Sequence, residues 1–156
     1  MLVNISYKNW PSVIYIKYNN IKINEEIFNN YKEQINILIN KINEYKSNNN
    51  DDDMYVVINI QNIKTLNLDY AAKYSKFYDY IIKNIKLNIK YIYLIVKDNI
   101  MKMLIKSYIN FKFPKEKKIF SIFKSKIKIQ NILNKHINDM NDSTPKTTSK
   151  INVITN

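Results

Sequence analysis

The sequence predicts a single, mostly parallel α/β sheet with crossover helices, in the order β-β-α-β-α-β-α-β-α. Three observations predict it. Apolar residues switch repeatedly between strand-like and helical spacing along the chain. Two short runs, Tyr55 to Ile60 and Tyr91 to Val96, are almost continuously apolar, as strands covered on both faces require. Polar or proline-containing breaks separate the segments. Strand–helix alternation of this kind folds with right-handed crossovers, and the opening β-β pair supplies an antiparallel edge.

Each element has its own signal. Leu2 to Tyr7 alternates loosely and ends before Trp10-Pro11, and Val13 to Tyr18 is β-branched and aromatic, the composition of a strand. Asn24 is placed to cap a helix whose dipole favours Glu25 and Glu26 in its first turn. Ile27, Tyr31, Ile35, Leu38 and Ile42 then recur at spacings of three and four, which predicts a long amphipathic helix. The polar stretch Ser47 to Asp53 is a surface loop leading to the strand at Tyr55. Asp69 opens a second helix with Tyr70, Tyr74, Phe77 or Tyr78, Ile81 and Ile85 on its inner face. After the strand at Tyr91, Asp98 or Asn99 caps a third helix, Pro114 and a charged turn follow, and Ile119 to Phe123 forms the last strand. Ser125 caps a final helix carrying Ile129, Ile132, Leu133 and Ile137. The 156 residues fit one domain, residues 1–140, followed by a polar, proline-broken tail at 141–156.

Composition removes many chemistries. With no glycine, phosphate-cradling loops and the nucleophile elbow are absent; with no cysteine, so are disulfides and thiolate zinc sites. The single histidine, His136, has no neighbouring ligand pattern, and Asp51-Asp52-Asp53 lacks calcium-loop spacing. No cofactor and no metal is expected, and no base, nucleophile and oxyanion donor are placed together, so the reading is non-enzymatic. Every one of the 25 basic residues is lysine, and the net charge is +12. Asn, Ile, Lys and Tyr all have A/T-rich codons, so coding bias explains much of that charge. Without arginine the bidentate contact that most often reads guanine is missing, which argues against nucleic acid. No signal peptide and no membrane span is visible, so a cytoplasmic protein is expected.

The third helix carries more apolar surface than packing on one sheet needs. Ile100, Leu104, Tyr108 and Phe111 form one stripe, Met101 and Ile105 lie beside it, and Met103 and Ile109 extend it. A core-facing stripe needs only about 100° of the helix. The excess suits a ligand wall or a partner surface, or a helix covered on both sides.

Two families resemble this chain between Met54 and Leu133. The segments KNIKLNIKYIYLIV (83–96) and MKMLIKSYINFKFPKEKKIFSIF (101–123) resemble the divergent CRAL-TRIO lipid-binding domain, although the family's Asn-Ala-Pro is replaced at Val96-Lys97-Asp98. VVINIQNIKTLNLDYAA (56–72) and KKIFSIFKSKIKIQNIL (117–133) resemble the STAS domain of anti-sigma-factor antagonists, with Leu68 where its regulatory serine would fall. A phosphorylation switch there is chemically impossible.

The CRAL-TRIO resemblance implies a non-catalytic binding module for a lipid or an anionic membrane surface, peripheral to the membrane. Met101, Leu104, Ile105, Tyr108 and Phe111 would form the ligand wall, and Lys97, Lys102 and Lys106 would meet the headgroup. The STAS resemblance implies instead a protein–protein interaction domain that presents Asn67, Tyr70 and Tyr74 to a protein partner.

Overall fold

The computed structural model describes residues 3–21, 24–48, 53–63 and 89–143, together with residues 72, 73, 75, 76, 80 and 84. Side chains from 136 onward lie outside the description. The elements are β1 (Val3–Asn9), β2 (Val13–Tyr18), α1 (Glu25–Ser47), β3 (Met54–Asn59), β4 (Ile89–Ile95), α2 (Asn99–Lys112), a 3₁₀ turn (Lys117–Ile119), β5 (Phe120–Phe123) and α3 (Lys126–Ser143). The α/β class expected from the sequence is the one observed. The strand at Val13 to Tyr18 keeps its expected bounds, and the others shift by one or two residues. In the second expected helix, residues 72, 73, 75, 76, 80 and 84 are helical, whereas Asp69, Tyr70, Tyr74, Phe77, Tyr78, Ile81 and Ile85 lie outside the described residues. The last helix runs through Ser143.

The sheet order is β1-β2-β3-β4-β5. β1 pairs antiparallel with β2, and β2, β3, β4 and β5 are mutually parallel. Strand order follows chain order, so every right-handed crossover lands its helix on the same side of the sheet. The packing agrees. Tyr31, Ile35, Leu38, Ile39 and Ile42 of α1, with Met101 and Ile109 of α2, pack on Ile14, Ile16, Val56, Ile58, Ile92 and Leu94. The other face carries Val13, Tyr55, Val57, Tyr93 and Ile95, and α3 covers it with Ile129 and Leu133. β3 is buried along its whole length, which is why its sequence shows no polar alternation.

The starts of α1 and α2 are capped as their sequences predict. Asn24 Oδ1 accepts from the Ile27 amide at 2.8 Å, and Asp98 Oδ1 accepts from the Met101 amide at 2.8 Å. Each satisfies one amide that the helix itself leaves without a partner. Asp53 at the entry to β3 forms an ion pair with Lys90 of β4, so the acidic loop is tethered at its last residue.

Candidate interaction surface on α2

The helix α2 follows directly from the end of β4. The Val96 backbone N–H closes the strand by donating a hydrogen bond to Phe123 O at 2.9 Å, and Asp98 then turns the chain into the helix. One side of α2 faces the sheet, with Met101 and Ile109 buried and Ile105 packed against the same core. Tyr108 is half-buried and its hydroxyl donates to Ser75 Oγ at 2.8 Å, which joins α2 to the preceding helical segment. Phe113 closes the end of the helix. Its amide reaches Ile109 O at 2.8 Å, and its ring lies against Tyr108 and Phe120 with centroids at 6.1 and 5.8 Å.

The opposite side is apolar and open. Ile100 is 68% exposed, Met103 63%, Leu104 49% and Phe111 85%. Helical spacing puts these four on one face around Ser107. No acidic residue occurs anywhere in α2, and Lys97 before the helix and Lys102, Lys106 and Lys112 on it are exposed.

The residues expected to form a ligand wall therefore divide between two sides. Met101 is buried in the core, Ile105 and Tyr108 are half-buried, and Leu104 and Phe111 face outward. The seam on the sheet is Met101-Ile105-Ile109, one turn apart each time, whereas of the anticipated stripe Ile100, Leu104 and Phe111 lie outside and Tyr108 is half-buried. Lys97 is exposed in the turn before the helix, and Lys102 and Lys106 border a cleft beside it. Asn67, Tyr70 and Tyr74, expected for a protein partner, lie outside the described residues.

The cleft has a volume of about 320 Å³ and is lined by Lys102, Lys106, Ile109, Asn110, Lys117, Lys118, Phe120 and Ile122. Lys117 and Lys118 come from the 3₁₀ turn that the sequence shows only as a charged connection. A second cleft, about 500 Å³, lies where Phe28, Lys32 and Asn36 of α1 meet Lys76 and Tyr80. There the Tyr80 hydroxyl donates to Asn36 Oδ1, and Lys32 sits 4.7 Å from the Phe28 ring centroid. Among the described residues no group of three or more metal-ligating side chains occurs, and no helix is long and apolar enough to cross a membrane.

This architecture, an antiparallel edge followed by parallel strands in chain order, is that of a SpoIIAA-like α/β domain. The chain is similar in structure to an uncharacterized protein of the DUF3478 family with a SpoIIAA-like fold from Shewanella loihica PV-4. The TM-score is 0.50 at 16% identity, covering 84% of this chain and 91% of that one. No family model and no curated protein matches the chain. The shared fold supports the STAS resemblance and gives no support to the CRAL-TRIO one. At 16% identity the likeness extends to fold alone.

Proposed function

We propose that this chain is a non-catalytic, STAS-like interaction domain that docks an acidic partner protein on the outer face of α2. The observation that carries the reading is the exposed face of Ile100, Met103, Leu104 and Phe111. Neighbouring apolar side chains held in water on one helix face mark an interaction site more strongly than scattered ones do. Burying each contributes about 1.5–3 kcal/mol relative to leaving it exposed. Charge selects the partner. A helix without acidic residues, bordered by Lys97, Lys102, Lys106 and Lys112 on a chain of net charge +12, complements an apolar centre with a carboxylate rim. Such a rim accelerates encounter and rejects basic surfaces more than it raises affinity.

A photo-crosslinking residue at position 103, compared with one at position 37 on α1, tests the reading. Position 103 should capture a protein that, once identified and purified, binds the domain through an acidic segment. Leu104→Asp and Phe111→Asp should abolish that binding, whereas Ile37→Asp should leave it intact. Retained binding by both stripe variants would overturn the assignment. So would loss, in the same variants, of co-sedimentation with anionic phosphatidylserine vesicles while no purified protein binds, because the face would then serve a membrane.

A further inference from the structure

We propose that the cleft between α2, the 3₁₀ turn and β5 is a binding site for a small anion carrying an aryl or short alkyl group, a phosphate monoester or a carboxylate. The site lies on the other side of α2 from the exposed apolar stripe, shares Lys102 and Lys106 with the helix's basic border, and does not depend on the partner-protein reading.

Its floor is apolar. Ile109 of α2 is buried, and Phe120 and Ile122 of the edge strand β5 are half-buried. The Phe120 ring is stacked on Phe113 at 5.8 Å, so a flat apolar group entering the cleft meets an aromatic surface already held in place. Its rim is basic. Lys102 and Lys106 stand one turn apart on α2, and Lys117 and Lys118 come from the 3₁₀ turn on the facing wall. The lining contains no carboxylate. Among the described residues, none of these four lysine ammonium groups is held by an ion pair or hydrogen bond.

Four like charges around one concavity repel one another, and an anion between them relieves that repulsion. The low-dielectric floor strengthens the attraction relative to open water. Lysine supplies mobile point charges rather than a fixed fork, so the site should take carboxylate or phosphate without strong geometric preference. Asn110 adds an amide at the rim. At about 320 Å³ the cleft lies at the small end of the range for ligand pockets, roughly 300–1,000 Å³. That admits a small amphiphile and not a whole lipid. The headgroup of a membrane lipid and a soluble metabolite share this chemistry.

Titration of the full chain followed by amide and lysine side-chain NMR decides the matter. The soluble probes are phenyl phosphate, inorganic phosphate and benzyl alcohol. Phenyl phosphate should give saturable shifts confined to Lys102, Lys106, Asn110, Lys117, Lys118 and the floor. Inorganic phosphate should bind at least tenfold more weakly, and benzyl alcohol should not saturate. Lys106→Ala with Lys118→Ala should weaken phenyl phosphate at least tenfold, while Lys128→Ala on α3 should leave it unchanged. All of these lysines are exposed, so folding is preserved and circular dichroism verifies it. Equal affinity for the two phosphates, shifts spread over lysines of the whole surface, or an unchanged double variant would overturn the site. Given saturable binding, phosphatidic acid vesicles that displace phenyl phosphate identify a lipid headgroup as the source. Vesicles that fail to displace it identify a free metabolite.

Discussion

Asn59 and Tyr15 are joined across two strands: the Asn59 amide donates to the Tyr15 hydroxyl at 2.8 Å. Asn59 is buried at the end of β3, and its side-chain oxygen accepts from the Gln61 amide at 3.0 Å. One side chain thus ties β2 to β3 and shapes the turn that follows. Replacing Asn59 with Ala should lower stability by about 2 kcal/mol, because buried polar groups lose their partners. Tyr15→Phe should cost about 1 kcal/mol. Asn59→Ala combined with Tyr15→Phe should lose less than the sum of the single changes, since both remove the same bond. Urea unfolding of the four proteins measures this.

The two helix caps provide an independent check on the fold. Asn24→Ala and Asp98→Ala should each destabilise the domain by about 1 kcal/mol. The corresponding serine variants should recover most of the loss. The caps serve different helices and share no partner, so the two effects should add.

The two sides of α2 should separate energetically. Ile109→Ala removes a buried side chain and should cost about 2–4 kcal/mol through lost burial and the cavity it leaves. Phe111→Ser, at a position 85% exposed, should change stability by less than about 0.5 kcal/mol. Thermal unfolding distinguishes them. A large loss in the Phe111 variant would place that ring in the core.

High pH should weaken the fold. Burial holds the Tyr93 hydroxyl above its ordinary pKa, with smaller contributions from Tyr55 and Tyr91, and burial alone does so for Tyr7. The unfolded chain therefore loses these protons first as pH rises through the ordinary tyrosine value of about 10. Above that point the unfolded state binds fewer protons than the native one, so stability falls with pH; below it the contribution is fully present. The hydrogen bond and charge of Asp53 raise Lys90 in the same direction, at an exposed position. Melting temperatures followed into the alkaline range should fall less steeply for Tyr93→Phe than for the parent chain.

Much of this architecture was legible in the residues. The β-branched and aromatic run at Val13 to Tyr18 has no helical reading, and Asn24 and Asp98 stand where a cap must stand, because few side chains can serve there. The excess apolar surface of the third helix was visible as a count of residues. Its division between core and solvent was not, because Ile100-Leu104-Phe111 and Met101-Ile105-Ile109 both recur at helical spacings. Only the position of the sheet chooses between them. Lys117 and Lys118 read as an ordinary charged turn, since they come to share a cleft with Lys102 and Lys106 only once β5 has docked. The expected partner surface at Asn67, Tyr70 and Tyr74 lies outside the described residues.

With α1 and α2 on one side of the sheet, the other side holds Tyr55, Tyr91 and Tyr93, whose ring centroids lie 6.0–6.3 Å apart. Of the described elements, only α3 packs over that face. This order has a consequence for a nascent chain leaving the ribosome. The five strands and their first helices are all translated before α3, so a newly made sheet presents a sticky aromatic wall until the final helix arrives. Ribosomes add about 5–20 residues per second, so that window lasts only seconds.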